Sequence, residues 1–408
     1  MISLSLRLAW RNVWRHRRRS ILTVLAIAFA TAVLQFFLAI QLKSYETSIN
    51  ATVSLFHGHL QIQRAGYLDK PRIRSTVPDV RLLAEKLSHN AFIEAVAPRA
   101  VGFALASSEK RSIGAQVTGI VPERERTVST IPTAIREGRY LSSNSANEVV
   151  VGTLLARQLE LSIGDDLTLL GQGREGSLAA TVLPVVGIVR TGSNELDRTL
   201  VHLPLQTFQD VFDMGAAGHA IAIRTTDIER VEPFAAELRQ DPALKDPLVV
   251  HTWNDLLPGL KQSIELDMAA GWLFYVSLIV VVMCTITNTF LMSVLERTKE
   301  FGVMLALGST PFQIAKLILA ESVILTLVGI GAGLALGTIC VLYFGVYGFS
   351  VPGSEELAAQ WNIPAVVHPD LTLSVISIAP ALVIVGSFIA VLYPAFKIFL
   401  LRPVEAMR

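Results

Sequence analysis

Charged residues are scarce in this sequence of 408 residues, at 17% of positions, whereas soluble proteins typically carry about 25%. Cysteine is nearly absent, since the chain has only Cys284 and Cys340, and both fall in long apolar runs. Any domain outside those runs must therefore be stabilised by an ordinary hydrophobic core and not by disulfides. These shortages argue against an ordinary soluble protein.

Catalytic motifs are also missing. The chain has no Gly-Lys dipeptide, so it lacks the G-x-x-x-x-G-K-[ST] loop that holds nucleotide phosphates. H-E-x-x-H and G-x-S-x-G are absent as well. The one close histidine pair, His57 and His59, is more typical of polar residues at a structural transition than of a metal site. We therefore predict no catalytic, cofactor or metal site on this chain, and we expect any ATP hydrolysis to come from another polypeptide.

Long stretches without Asp, Glu, Lys or Arg are the main positive feature. About 20 apolar residues suffice to cross a bilayer, so each stretch predicts a transmembrane helix. The first is too long for a cleavable signal peptide, whose apolar region is about 7–15 residues, and is expected to be an uncleaved anchor. The third is longer than a span needs, and its helix is expected to end near Phe344. The four stretches are Ser20–Leu42, Met268–Leu295, Ser322–Ser354 and Leu371–Phe396.

Basic residues near the ends of these stretches predict the orientation. Six arginines and no acid precede the first stretch: Arg7, Arg11, Arg15, Arg17, Arg18 and Arg19. Arg297, Lys299 and Lys316 follow the second stretch. Because cytoplasmic loops are enriched in Lys and Arg, both termini and the 296–316 loop are predicted to be cytoplasmic. The six arginines are explained by anionic lipid headgroups, so no nucleic-acid partner is expected.

The predicted fold class is an α-helical membrane protein with four transmembrane helices and a large mixed α/β domain inserted between helices 1 and 2. The predicted segments are an amphipathic elbow helix at 1–19, transmembrane helices at 20–42, 268–295, 317–344 and 371–396, an outer stalk and head at 43–267, a cytoplasmic loop at 296–316, an outer loop at 345–370 and a cytoplasmic tail at 397–408.

The outer segment 43–267 holds 23 Lys+Arg and 27 Asp+Glu, and it is long enough to form its own core. Its first residues, Lys43–Phe56, are predicted to continue the first transmembrane helix outward as a stalk. Predicted strands are His59–Gln63, Glu148–Gly152, Leu167–Leu170, Leu183–Val189, Leu200–Pro204 and Ala220–Arg224, and predicted helices are Val80–Leu87, Thr153–Leu161 and Ile228–Arg239.

The 296–316 loop has an amphipathic pattern. Glu296 and Glu300 are four residues apart, as are Val303 and Leu307, so a short helix would separate a charged face from an apolar one. The Gly308–Pro311 segment then ends that helix and starts the next. Such a helix at the membrane surface offers an apolar ridge to a groove on a partner protein. The alternative is a plain polar connector.

Small and polar residues occur inside the predicted spans. Three glycines, Gly329, Gly333 and Gly337, share one helix face and allow close approach of another helix, either within one subunit or between two copies. Two polar residues, Asn288 and Glu321, are also intramembrane. An acid there is usually paired, and Lys316 and the elbow arginines are the candidate partners of Glu321.

The first 20 residues have an amphipathic pattern of their own. Aromatic and apolar residues, including Trp10 and Trp14, lie on one side, and arginines, including Arg15 and Arg18, lie on the other. This pattern predicts an interfacial helix that anchors the chain in membrane lipid.

One motif is specific enough to indicate a family. The run Asn288-x7-Glu296-Arg297-Thr298-Lys299-Glu300-Phe301-Gly302-Val303-Met304-Leu305-Ala306-Leu307-Gly308 resembles the signature of MacB/FtsX-type ABC transporter permeases, also called type VII or mechanotransmission transporters. The tail, from Tyr393-Pro394-Ala395 to Arg402-Pro403-Val404-Glu405-Ala406-Met407-Arg408, and the start, Leu8-Ala9-Trp10-Arg11-Asn12 with Arg18-Arg19-Ser20, are similar to the same family. Three stretches of the outer segment, Ile120–Glu123, Gly138–Leu141 and Glu148–Gly152, look like the lipoprotein-releasing branch.

The resemblance implies a bacterial inner-membrane location, a periplasmic outer domain and a coupling helix at 296–308. That helix would dock on a separate cytoplasmic ABC ATPase dimer, which would bind ATP and magnesium. The residues to which the resemblance gives this coupling role are Glu296, Arg297, Thr298, Lys299, Glu300, Gly302, Val303, Leu307 and Gly308. It also implies a second permease copy or a paralogue as partner. The macrolide exporter of this family carries its ATPase on the same chain, and this sequence does not.

Three functions remain open at this point. The first is movement of lipoproteins or other lipidated or amphiphilic cargo from the inner membrane, with a periplasmic chaperone as a further partner. The second is export of peptide, antibiotic or glycolipid through a periplasmic adaptor. The third is activation of a cell-wall hydrolase without transport, which the large size of the outer segment disfavours.

Overall fold

The computed structural model describes residues 2–15, 17–228, 230–244, 246–350, 353 and 366–399. The chain divides into a membrane unit, to which Ile264–Ser350 contributes most, and a head unit, Glu46–Ser263. The predicted tail motif beyond Phe399 and most of the predicted outer loop 345–370 lie outside the described residues.

The helices are α1 (Ile2–Arg15), α2 (Arg17–Thr52), α3 (Val80–Leu87), α4 (Pro122–Val128), α5 (Thr153–Leu159), α6 (Asn194–Thr199), α7 (Leu205–Val211), α8 (Val231–Leu238), α9 (Trp253–Leu256), α10 (Pro258–Glu296), α11 (Thr298–Ala306), α12 (Pro311–Tyr347) and α13 (Leu373–Phe399). The strands are β1 (Leu60–Arg64), β2 (Ile93–Ser107), β3 (Ser112–Ile120), β4 (Ile135–Gly138), β5 (Val149–Gly152), β6 (Asp166–Gln172), β7 (Leu178–Val189), β8 (Leu200–Pro204), β9 (Ala220–Thr225) and β10 (Leu248–Thr252). A π-helical turn, Val53–His57, follows α2.

Four helices in the described part of the chain, α2, α10, α12 and α13, are long and apolar enough to cross a membrane. They extend beyond the uncharged stretches, because polar and charged residues also propagate helices. Thus α10 begins at Pro258, inside the segment 253–267 whose apolar residues recur at helical spacing before the second span, and α12 ends at Tyr347 instead of Phe344. The elbow helix is shorter than predicted, since α1 ends at Arg15 and Arg18 belongs to α2.

The three glycines of α12 pack against α2 within the chain. A Cβ atom at Gly329 would lie 2.7 Å from Cβ of Ile27, and one at Gly333 would lie 2.6 Å from the carbonyl oxygen of Ala28. A Cβ at Gly337 would overlap the side chain of Gln35. Glycine at these positions lets the two backbones approach closely, which is how helices gain contact area inside lipid.

Replacing Gly333 with leucine is expected to destabilise the membrane unit, because the side chain has no space against α2. The expected loss is about 1–3 kcal/mol or more, as for other overpacked sites. Gly331, two residues away on the same helix, is the matched control, since nothing lies within 4 Å of a Cβ built there. Thermal unfolding of the two purified variants in detergent measures the difference, and equal midpoints would contradict the packing described.

The strands of the head unit form one sheet of ten strands within the described residues. The strand order is β10-β1-β9-β2-β3-β8-β5-β7-β4, and β6 pairs with both β2 and β7. Most neighbours are antiparallel, but β3 and β8 are parallel, as are β5 and β7. Helices α3, α7 and α8 bury their apolar faces in the core of the head. The predicted fold class, four membrane helices with an inserted α/β domain, is therefore confirmed.

Two predicted helices of the head end earlier than expected. The helix that begins at Thr153 stops at Leu159, because Glu160 adopts a left-handed conformation with φ of 56°. The helix predicted over Ile228–Arg239 covers Val231–Leu238. The helix predicted over Val80–Leu87 has those bounds.

Several histidines of the head are buried in the neutral form. His202 and His219 are at most 1% exposed, and burial lowers the pKa of each to about 4. Nδ1 of His202 lies 3.0 Å from the hydroxyl oxygen of Tyr140, and Nδ1 of His219 accepts a hydrogen bond from the backbone N–H of Val101. In the unfolded chain these imidazoles have an ordinary pKa of about 6.5.

The head is therefore expected to lose stability as the pH falls from 6.5 to 4. Over this range the histidines of the unfolded chain become protonated, whereas the buried histidines of the folded chain stay neutral. The free energy of unfolding therefore falls by on the order of 3 kcal/mol per histidine. Thermal unfolding of the full chain across this range measures the loss. A variant with His202→Gln and His219→Gln should lose less stability, and parallel curves for the two proteins would contradict the assignment.

Candidate functional site

The segment between α10 and α12 forms a short helix of its own, α11. α10 ends at Glu296, Arg297 leaves the helical conformation, and α11 then runs from Thr298 to Ala306. Gly308 ends this region with φ of 94°, a conformation that favours glycine. Thr310 starts α12 with a capping box, in which its side chain and that of Gln313 bond reciprocally to backbone N–H groups.

Arg297 is buried at the start of α11 and holds it to the membrane helices. Its Nη1 donates to both carboxylate oxygens of Glu321 on α12, at 3.0 and 3.3 Å. The side chains are only 11% and 7% exposed. Nδ2 of Asn12 on α1 donates to the same carboxylate at 2.7 Å, and the guanidinium lies 5.0 Å from the ring centre of the buried Phe301. One carboxylate therefore joins three helices.

Two more exposed ion pairs fasten α11 and the end of α10 to the N-terminal helices. Nη2 of Arg19 on α2 donates to Glu296 at 2.6 Å. Nη1 of Arg15 on α1 lies 3.2 Å from Glu300, which also accepts from Nε of Arg297 at 3.2 Å. Exposed pairs of this kind contribute little to stability, about 0–1 kcal/mol each.

The remaining side chains of α11 define its free surface. Phe301 and Gly302 are buried, so both face the membrane unit. Val303 is 49% exposed and Leu307 is 82% exposed, with Lys299 and Ala306 also exposed beside them. We call these four residues the α11 ridge. It is an apolar strip with one cation at its beginning.

Some predicted residues lie elsewhere than expected. Among the side chains that the structure describes, Glu321 pairs with Arg297 and not with Lys316 or an elbow arginine, because the break after Glu296 places the Arg297 side chain inside the bundle. Gly302 is buried and does not reach the free surface. Arg15 and Arg19 also pair with acids of α11 and α10, which the sequence did not predict.

The other predicted residues are accounted for as follows. Thr298 donates its hydroxyl to carbonyls of α10, and Gly308 is exposed at the end of the loop. Asn288 is exposed on α10, and Arg18 is exposed on α2. Trp10 and Trp14 are half exposed, and their rings meet edge to face at 5.9 Å.

Sequence reasoning missed Asn12, whose amide shares the carboxylate of Glu321. Asn12 lies inside the stretch that resembles the family's N-terminal segment, but a single polar residue among arginines gives no sign of its partner. Only the placement of α1 against α12 brings the two together.

Removing the carboxylate of Glu321 is expected to destabilise the membrane unit strongly. Glu321→Ala leaves Arg297 buried without its counter-charge, and breaking one side of a buried pair typically costs about 3–5 kcal/mol. Arg15→Ala is the matched control, because it breaks an exposed pair in the same region and should cost at most about 1 kcal/mol. Thermal unfolding in detergent measures both losses. Similar losses would show that the buried Arg297–Glu321 pair stabilises the membrane unit no more than an exposed pair does.

Comparison with known proteins covers both units. The family model of the MacB-like periplasmic core domain matches residues 20–241, and that of the FtsX-like permease C-terminal domain matches residues 272–401. A lipoprotein-releasing system transmembrane protein, LolC of Neisseria meningitidis, is 23% identical over 84% of this chain and 83% of its own length.

Two further relatives are similar over most of the chain. LolE of Haemophilus influenzae, also a lipoprotein-releasing system transmembrane protein, is 24% identical over 94% of this chain and 93% of its own length. The macrolide export ATP-binding/permease protein MacB of Agrobacterium fabrum is 25% identical over 82% of this chain but only 52% of its own length. The chain thus belongs to the family of FtsX-like permeases with a MacB-like periplasmic core domain, and it is an ABC transporter permease of the LolC, LolE and MacB type.

Proposed function

We propose that this protein couples ATP hydrolysis by a separate cytoplasmic ATPase dimer to movement of its periplasmic head, and that it thereby releases lipoproteins or other lipidated cargo from the bacterial inner membrane. The observation that carries the proposal is the α11 ridge, an exposed apolar strip on a helix whose opposite face is fixed inside the membrane unit.

The α11 ridge fits the helix-in-groove mode of recognition. Val303 and Leu307 are four residues apart, so both project from the same side of the helix and can enter one groove. Lys299 adds a positive charge one turn earlier. ATP and its magnesium ion would be bound by the partner that provides the groove.

The Arg297–Glu321 pair gives a route for coupling. A displacement of α11 moves Arg297, which is bonded to the carboxylate of Glu321 on α12, and Asn12 on α1 is bonded to the same carboxylate. The two outer ion pairs, from Arg15 and Arg19, tie the same element to the beginning of α2. Movement of the ATPase would therefore reach α1, α2 and α12 at once. This arrangement requires both termini and α11 to lie in the cytoplasm, as the basic residues predict.

A lipidated cargo is supported by the relatives and by a cavity in the membrane unit. The cavity, about 380 Å³, lies between α2 and α10 and has apolar walls that include Phe37 and Phe274. A polar cluster lies beside these walls, in which the hydroxyl of Tyr45 donates to Asp267 at 2.6 Å and the amide of Gln41 donates to Tyr45 at 2.7 Å. Apolar walls next to polar groups suit an amphiphile with an acyl chain and a polar head.

The head has an exposed apolar surface that suits a chaperone or an adaptor. Leu105 and Leu170 face each other on β2 and β6, and they are 44% and 38% exposed. Phe103, Leu178 and Val182 on β2 and β7 are more exposed, at 62%, 82% and 56%. Large exposed apolar residues on neighbouring strands often mark an interaction site.

A second permease copy or a paralogue is expected to cover α10. In the most apolar 18-residue stretch of this helix, only 17% of the residues are buried, against 33–50% in the other three membrane helices. Asn288 is exposed in the last third of this helix. A polar amide that faces lipid is costly, and a hydrogen bond across an interface between two permeases would satisfy it.

Export through a periplasmic adaptor is the second candidate function. It is favoured by the similarity to the macrolide exporter, and the exposed surface of the head serves an adaptor as well as a chaperone.

Leu307→Asp is expected to reduce association with the ATPase, because a charge on the most exposed apolar residue of the α11 ridge would have to be buried in an apolar groove. Leu178→Asp in the head is the matched control, since both leucines are 82% exposed. Co-purification of the ATPase with each variant measures the effect. Equal recovery of the ATPase with both variants would remove α11 as the docking element.

Depletion of the protein in its host is expected to leave lipoproteins in the inner membrane, since their release would stop. Fractionation of the two membranes and detection of acylated proteins measures their distribution. Normal sorting of lipoproteins would reject the lipoprotein assignment and favour export through an adaptor.

A further inference from the structure

The first membrane helix enters the head without a break. In the described residues, α2 continues directly into the π-helical turn Val53–His57, which ends at Gly58 with φ of 74°. The N–H of Gly58 bonds to the carbonyl of Val53 at 2.8 Å, the i to i−5 spacing of a π-helix. A Cβ at Gly58 would lie 2.8 Å from the carbonyl oxygen of Ile223, so only glycine fits this exit.

The last carbonyls of this helix are bonded by residues of the head. The end of a helix leaves its final carbonyl groups without partners inside the helix. Here the carbonyl of Ser54 accepts from the N–H of Thr130 at 2.8 Å, that of Leu55 accepts from the hydroxyl of Ser129 at 3.1 Å, and that of His57 accepts from the side chain of Gln61 at 2.7 Å. The fourth carbonyl, on Phe56, accepts from Nη1 of Arg99.

Arg99 makes the most contacts among these connections. It lies on β2, which pairs with β3, β6 and β9, so it is part of the central framework of the sheet. The side chains of Arg99 and Glu125 are 1% and 0% exposed, and they form two parallel hydrogen bonds of 3.0 and 2.7 Å. The guanidinium also lies 4.3 Å from the ring centre of Phe56. A fully buried ion pair adds little to stability, because the cost of removing both charges from water offsets the attraction between them.

A second contact fixes the helix from the side. Nδ1 of His59 accepts a hydrogen bond from the N–H of Thr225, so Nε2 carries the proton and donates to Oδ1 of Asn50 at 3.1 Å. Asn50 lies two residues before the end of α2, and Thr225 ends β9. The helix is therefore bound to the sheet both along its side and at its end.

The return connection from the head is built differently. After β10, the short helix α9 ends at Leu256, Leu257 leaves the helical conformation with φ of −128° and ψ of 61°, and α10 starts at Pro258. Proline has no N–H to continue a helical bond across this point. One connection is thus a continuous helix with bonded carbonyls, and the other is interrupted.

We infer that Arg99 is a positioning residue that fixes the last turn of α2 and the Val53–His57 turn to the sheet of the head. The inference about rigidity stands on the head alone, and its consequence for cargo release rests on the proposed function.

The rigid connection is tested by replacing the ion pair with apolar residues of similar size. Arg99→Met with Glu125→Leu removes the bond to Phe56, and such exchanges are often neutral for stability. Arg139→Met with Glu148→Leu is the matched control, because that pair, at 2.6 Å, also lies in the head and does not contact the Val53–His57 turn. Spin labels at Ser48→Cys on α2 and Glu109→Cys on the head, with Cys284 and Cys340 changed to serine, report the distance between helix and head.

The parent chain should give a narrow distance distribution by pulsed electron resonance, and so should the control. The Arg99/Glu125 variant should give a broader one. An unchanged width, or equal broadening in the control, overturns the inference. Where the variant fails to fold, Ser129→Ala with Gln61→Leu takes its place; it removes two other bonds to the helix end, and an unchanged width there likewise overturns the inference.

The functional consequence is tested in proteoliposomes with the ATPase and a fluorescent triacylated lipopeptide. The Arg99/Glu125 variant should bind the ATPase and hydrolyse ATP like the parent but lose lipopeptide release per ATP, whereas the control should keep it. Full release by the variant overturns the positioning role. If the parent chain binds no ATPase or releases no lipopeptide, the proposed function is rejected. The distance measurement then still tests the rigid connection by itself.

Discussion

The ion pair between Arg297 and Glu321 is the interaction on which the arrangement of α11 and its neighbouring helices depends. Two charges removed from water are stable only with good geometry and full hydrogen bonding, and here Asn12 and Phe301 complete the surroundings. The pair sets the orientation of α11, because Arg297 and Phe301 are one helical turn apart and both point inward. Lys299, Val303 and Leu307 must then point outward. The exposed ridge follows from what is buried beneath it.

Much of the fold could be predicted from local patterns, because lipid leaves few options for a backbone. Uncharged runs indicated the four membrane helices, and the turn chemistry of Gly308 and Thr310 indicated where α11 ends and α12 begins. The partner of Glu321 could not be predicted, because Arg297 belongs to a polar motif that suggests a surface position. Its burial depends on how three helices meet, which no local pattern encodes. The hairpin of β2 and β3 was missed as well, since Ile93–Ser107 is rich in alanine and contains Pro98, and neither favours a strand.

The packing of the membrane unit depends on small residues, whereas the packing of the head depends on bulky ones. Between α2 and α12 the contact depends on what is absent, since three glycines let one backbone lie against the other. In the head the contact depends on bulk, since Phe208 and Phe212 stack at 4.3 Å between α7 and the sheet. Water drives the second kind of contact and does not act inside lipid. A substitution that adds volume is therefore expected to destabilise the contact between α2 and α12, and one that removes volume is expected to destabilise the core of the head.

The uninterrupted course of α2 into the π-helical turn limits which insertions and deletions this segment can accept. The helix covers 41 residues, from Arg17 to His57, which corresponds to about 60 Å, or twice the thickness of a bilayer core. Each residue inserted into such a helix rotates everything beyond it by about 100° and displaces it by about 1.5 Å. Length changes within α2 therefore turn the end of the helix by the same angle, and steps of about seven residues, or two turns, nearly restore its direction. The tolerated lengths of this segment should be periodic, whereas the interrupted return through Leu257 and Pro258 should accept single-residue changes.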